Sequence, residues 1–117
     1  MDISVLKNAG IDYEEGLKRF SGYDTIYGKH LKKFIDSPLF ATLEENMQAE
    51  DYETAFATGH TIKGVTGNLS FNDLYAIMKV FVDALRDKTD IPKAKELYPQ
   101  VVEQFHKVNE ALKSQVA

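Results

Sequence analysis

The chain has no cysteine, few prolines and no run of basic residues. Without cysteine there are no disulfides and no thiolate chemistry, which fits a reducing compartment such as the cytoplasm. A net charge of −4 with no basic run argues against nucleic acid as a partner. No apolar stretch approaches the ~20 residues needed to cross a bilayer, and "MDISVLKNAG" lacks the basic start and apolar core of a signal peptide. A cytoplasmic protein that does not engage membranes is therefore expected. No segment alternates polar and apolar residues long enough to suggest a β-strand.

What is present is the pattern of a soluble helical protein. The 117 residues are 44% hydrophobic and 27% charged, enough for one domain (1–117) with a single core. "LYAIMKVFVDALRDK" puts Leu74, Ile77, Met78, Phe81, Val82 and Leu85 on one stripe, the signature of an amphipathic helix. "YPQVVEQFHKVNEAL" repeats it with Val101, Val102, Phe105, Val108 and Leu112. Two shorter stripes precede these, Tyr27–Leu31–Phe34–Ile35 and Leu39–Phe40–Leu43–Met47. Ser37 before Pro38, Asp51 before "YETAF" and Asp90 before Pro92 mark helix starts. The spacing predicts a short N-terminal helix, then helices near 12–20, 24–36, 38–49, 51–69, 72–88 and 92–115. Pro99 is expected to kink the last helix or mark its true start. Short connections between long amphipathic helices imply an antiparallel up-and-down four-helix bundle with short extra N-terminal helices.

One segment departs from ordinary helical composition. "GHTIKGVTGNLSF", residues 59–71, carries Gly59, Gly64 and Gly67, each costing about 1 kcal/mol relative to alanine inside a helix. On a wheel of roughly 100° per residue, Ala55, Ile62 and Leu69 face away from His60 toward a core. Within about 60° of His60 lie Phe56, Ala57, Lys63, Gly64, Gly67 and Phe71. Gly59 lies about 100° round, where a small residue lets a neighbouring helix approach. The exposed face is thus a histidine, a cation one turn on, and a strip nearly free of side chains. Neutral imidazole is a good nucleophile toward phosphorus. A lysine three residues on can screen the charge of the phosphohistidine product. Phosphoryl transfer depends mainly on positioning and charge stabilisation, so a donor protein must reach the imidazole, and the missing side chains read as clearance.

"GHTIKGVTGNL" resembles the signature of histidine phosphotransfer (HPt) domains, a His-x-x-Lys-Gly core followed by small residues and an aliphatic. "GIDYEEGLKRFSGYDTIYGKHLKKFID" is similar to the start of stand-alone bacterial members. The resemblance implies a helical bundle that relays phosphoryl groups between receiver-domain aspartates of hybrid histidine kinases and response regulators in two-component signalling. His60 would be phosphorylated at Nε2, Lys63 would stabilise the phosphoryl group, and Gly64 would give clearance. On the wheel, Phe56, Ala57, Gly67 and Phe71 are the candidates for a partner-binding surface; alternatively the helix ends near Ser70 and Phe71 turns into the core. Such a carrier has no ATP-dependent activity and no cofactor of its own, Mg²⁺ being supplied by the partner receiver domain. The match departs at Ser70-Phe71, where the family usually has Gly-Ala.

Two rival readings are weaker. Glu103 and His106 fit the Glu-x-x-His spacing of di-iron carboxylate bundles, but no second copy exists. A degenerate fold that docks a partner without phosphotransfer would not need His60, Lys63 and Gly64 together. His30 and His106 are expected to be structural or solvent-facing, and the pairs Glu14-Glu15 and Glu44-Glu45 to be solvated.

Overall fold

Seven α-helices account for most of the backbone in a computed structural model that describes residues 1–116: α1 (Ile3–Asn8), α2 (Tyr13–Arg19), α3 (Asp24–Ile35), α4 (Leu39–Gln48), α5 (Tyr52–Asn68), α6 (Asn72–Leu85) and α7 (Ile91–Val116). No strand occurs among these residues. The all-α bundle inferred from helical periodicity is the one observed.

Helices α4 to α7 form the bundle. Residues of α5 meet α6 in opposite order, Phe56 near Arg86, Gly59 against Val82, and Gly67 against Tyr75, so the pair is antiparallel. Between α4 and α7, Phe40 stacks on Phe105 with ring centroids 3.8 Å apart. Between α4 and α5, the Thr58 hydroxyl donates to Asn46 Oδ1 at 2.8 Å. The interior is continuous: Leu43, Ile62, Leu74, Met78, Phe81, Val82, Val101, Val108 and Leu112 are all essentially inaccessible to solvent. Burial of this kind, at ~25 cal/mol per Å² of apolar surface, is the main stabilising term.

The short N-terminal helices are held by specific bonds as well as by packing. The buried Tyr27 hydroxyl of α3 donates to the Leu69 carbonyl at the end of α5, at 2.7 Å. Burial pushes this phenol well above its usual range, so it remains a donor. Gly16 of α2 is required by the same contact, since a Cβ there would lie 2.0 Å from the Tyr27 oxygen. The Asp12 N–H donates to the Ser70 carbonyl at 2.9 Å, and Gln104 Nε2 donates to the Ala9 carbonyl at 3.1 Å.

Of the three predicted helix starts, Asp51 and Asp90 cap through their side chains, whereas α4 follows Pro38 with no side-chain cap; two further expectations are corrected. Asp51 Oδ1 accepts from the Thr54 N–H at 3.2 Å and starts α5, while Asp90 Oδ1 accepts from Lys93 N–H at 3.1 Å and starts α7. Hydrogen bonds from the Thr54 hydroxyl and N–H hold the Asp51 carboxyl below its ordinary range. The cap therefore contributes fully above that range and fades as pH falls through the depressed value. Pro99 does not mark the start of the last helix: α7 begins eight residues earlier at Ile91 and runs through it.

The second correction concerns Phe71. Phe71 admits two readings, an exposed partner contact on a continued α5 or a core residue after a helix end near Ser70, and the second holds, since α5 stops at Asn68. Ser70 takes a left-handed φ of 60°, and the Phe71 N–H closes back on the Thr66 carbonyl at 2.9 Å. The chain turns inward, and Phe71 is fully buried, edge-on to Phe34 at 4.9 Å. It is a core residue and not part of the partner-binding surface. Phe71→Ala is expected to cost about 3–5 kcal/mol in denaturant unfolding. Near-native stability in that variant would contradict the assignment.

Candidate functional site

The site is built on α5, and its orientation follows from which residues the bundle can bury. Ala55, Gly59, Ile62, Thr66 and Leu69 are buried, whereas Ala57, His60, Thr61, Gly64 and Asn68 are exposed. Lys63 is half-buried, one helical turn after His60. Among the described residues, neither the His60 imidazole nor the Lys63 ammonium takes part in a hydrogen bond or ion pair, so nothing within the chain competes for either group.

The three glycines do different work. A Cβ at Gly59 would lie 3.1 Å from Val82 Cγ2, so its bare backbone lets α6 pack closely. A Cβ at Gly64 would have nothing within 4 Å, which leaves open space one turn from the imidazole. Gly67 resembles Gly59 more than Gly64: a Cβ there would lie 3.1 Å from the Tyr75 ring. The surface expected to be bare at Gly67 is therefore occupied by an aromatic from α6, Tyr75.

Phe56 lies beside His60, as the wheel placed it, but it is half-buried. Its ring is nearly parallel to the imidazole, centroids 6.0 Å apart and planes 25° apart. Arg86, at the end of α6, sets its guanidinium carbon 4.9 Å from the Phe56 ring centre, within cation–π range. Tyr75 and Arg86 were not found by sequence reasoning. Tyr75 belongs to α6 and Arg86 caps its C-terminal end, and a wheel drawn for one helix cannot show what the next helix lays across it.

The other titratable candidates stay apart from this site. His30 is exposed with its ring 4.9 Å from Phe20, and His106 is exposed beside Phe105. Glu103 pairs with Lys107 at 4.0 Å across an exposed turn. No group of three or more metal-capable side chains occurs among the described residues.

The site thus presents an exposed histidine with a lysine one turn on and open backbone beside it, on the second helix of an antiparallel four-helix bundle. The family model of the Hpt domain matches residues 37–115, which take in almost all of α4 to α7 and most of the chain. The chain belongs to the Hpt-domain family. Hpt domains are phosphocarriers of phosphorelay signalling that interact with receiver domains. No curated protein and no solved structure matches the chain significantly.

The glycine geometry is directly testable. Gly64→Ala places its methyl in open space and is expected to raise stability by about 0.5–1 kcal/mol through helix propensity and a less flexible unfolded chain. Gly59→Ala and Gly67→Ala must displace Val82 or Tyr75, and each should gain less than Gly64→Ala or lose stability. Denaturant midpoints of the three variants in that order would agree; Gly64→Ala as the least stable would not.

Proposed function

We propose that His60 is the phosphoryl-carrying residue of a phosphorelay intermediate, accepting from the aspartyl phosphate of one receiver domain and donating to an aspartate of another. The observation that supports this most is the exposed imidazole beside the open face at Gly64. The Nε2 lone pair attacks phosphorus, the P–O bond to the aspartate breaks, and that carboxylate leaves. Nε2 becomes phosphorylated while Nδ1 keeps its proton. The reverse sequence at a second receiver returns the imidazole to its neutral form. Lys63, one turn along, offsets the negative charge that the phosphoryl group brings. Phe56 limits the imidazole on one side, so the ring presents an edge to the incoming phosphorus.

In this reading the chain contributes the nucleophile, the cation and the clearance. The phosphoryl donor and the Mg²⁺ that organises it belong to the receiver, and ATP is consumed upstream by a kinase. Ala57, Gly64 and the Phe56–Arg86 pair form the partner-facing surface, with Tyr75 over Gly67 at its margin. No helix of the described chain is long and apolar enough to cross a membrane, and the reading places the protein with receivers in the cytoplasm.

The test is incubation with a phosphorylated receiver domain. Wild-type protein should acquire an acid-labile, alkali-stable label. His60→Gln should keep its helical circular dichroism and melting temperature while acquiring no label. Label on His30 or His106 in that variant would overturn the assignment. Binding of the receiver by the wild type without any label would identify a docking module instead. Lys63→Ala should slow transfer by about tenfold to a hundredfold, since a charge-assisted contact is worth on the order of 1.5–3 kcal/mol. A wild-type rate in Lys63→Ala would show that the lysine only solvates the helix face.

A further inference from the structure

A cleft of about 760 Å³ opens between the ends of α2 and α3, the start of α4 and the end of α5. Its size is in the range of small-ligand sites, which are mostly apolar with a few convergent polar groups. Phe20, Phe34, Leu39, Val65 and Leu69 supply the apolar lining, and Arg19, His30 and Lys33 supply the polar groups.

Two features distinguish the cleft from an ordinary surface groove. The first is charge. Among the side chains that line the cleft, Arg19 and Lys33 are cationic against the single carboxylate Asp36, in a chain whose net charge is −4. The cationic character is local and opposite in sign to the rest of the molecule. Glu15 lies 3.7 Å from Arg19 Nη2, so of these two lining cations Lys33 is the one with no ion pair among the described residues. The second is preorganisation. Arg19 Nε donates to Ser70 Oγ at 3.1 Å, and Ser70 Oγ donates to Glu15 at 2.9 Å, which anchors the guanidinium to the left-handed turn after α5. Phe34 is fixed edge-on against the buried Phe71, and Phe20 stacks on Tyr27 at 5.2 Å. The walls are therefore set by the core. All three basic side chains and both aromatic walls precede residue 37, outside the stretch that the Hpt family model matches.

We propose that this cleft binds a small amphipathic carboxylate, its apolar body against the phenylalanine and aliphatic lining and its anionic head at Lys33, with Arg19 and His30 as further donors. One anionic head satisfies the unpaired lysine, and the apolar body matches a lining that water solvates poorly. A polyanion would meet Asp36 and Glu15, and a neutral apolar molecule would leave the local positive charge unused.

The probe is decanoate below its micelle concentration, followed by ¹H–¹⁵N NMR of the full chain, with decyltrimethylammonium as the cationic counterpart. Decanoate is expected to give saturable shifts at the amides of Phe20, Phe34, Leu39, Val65 and Leu69. Lys33 is exposed, so its variants should fold. Lys33→Gln should weaken binding, and Lys33→Glu should weaken it further, by at least about tenfold overall, as like charge replaces opposite charge at the head. Decyltrimethylammonium should leave these amides unshifted. The proposal is overturned if decanoate gives no saturable shift there, if Lys33→Glu binds as tightly as wild type, or if the cation binds equally well. It is equally overturned if a receiver domain covers these amides while decanoate leaves them unmoved, since the cleft is then a macromolecular contact.

Discussion

The close approach of α6 to α5 at Gly59 is the constraint on which the site depends. Val82 stands where any side chain at 59 would crowd it, so the backbone of α5 is seated against α6 at that point. His60 follows Gly59 directly, and one residue is about 100° of helical rotation. Seating Gly59 inward therefore fixes His60 at the surface. Lys63 and Gly64 follow on the same face by the helical repeat. A bulkier residue at 59 would rotate or lift α5, and the imidazole, the lysine and the open strip would move together. The four ion pairs among the described residues cannot supply this rigidity, because all join exposed side chains three or four residues apart and such pairs contribute little.

The sequence made the fold legible because each long helix buries a wide stripe, and Leu74 to Leu85 is the clearest case. It also distinguished Gly59 from Gly64, since their angles on α5 differ by more than a right angle. What it did not reveal lies between helices. Whether α5 ran on to Phe71 was not settled by the wheel, because the stop is made by a serine in a left-handed conformation that glycine adopts more easily. Hydrogen bonds with Arg19 and Glu15, both distant in sequence, accompany that turn. Tyr75 crosses Gly67 from the neighbouring helix, and Arg86 reaches Phe56 from the end of α6. None of these has a local signature. The Gly16–Tyr27 contact that ties the N-terminal helices to the end of α5 is invisible for the same reason.

Stability and function make different demands on neighbouring glycines. Gly59 and Gly67 give space to the protein's own side chains, so the bundle itself accounts for them. Gly64 gives space to nothing in the chain. A helix interior that forgoes an alanine at an open position carries a cost of about 1 kcal/mol that packing does not explain. Local rules broken without structural compensation are expected at functional sites, and here the broken rule lies one turn from the only histidine on α5.

The central claim is that this open face exists so that another protein's phosphorylated aspartate can reach His60. The most direct measurement is the rate of phosphoryl transfer from a receiver to a Gly64→Gln variant, with its melting temperature measured on the same sample. Glutamine is a good helix former and leaves His60 and Lys63 in place. The expected result is a protein that melts higher than wild type and transfers almost nothing. A Gly64→Gln protein that melts higher and still transfers at the wild-type rate would contradict the claim.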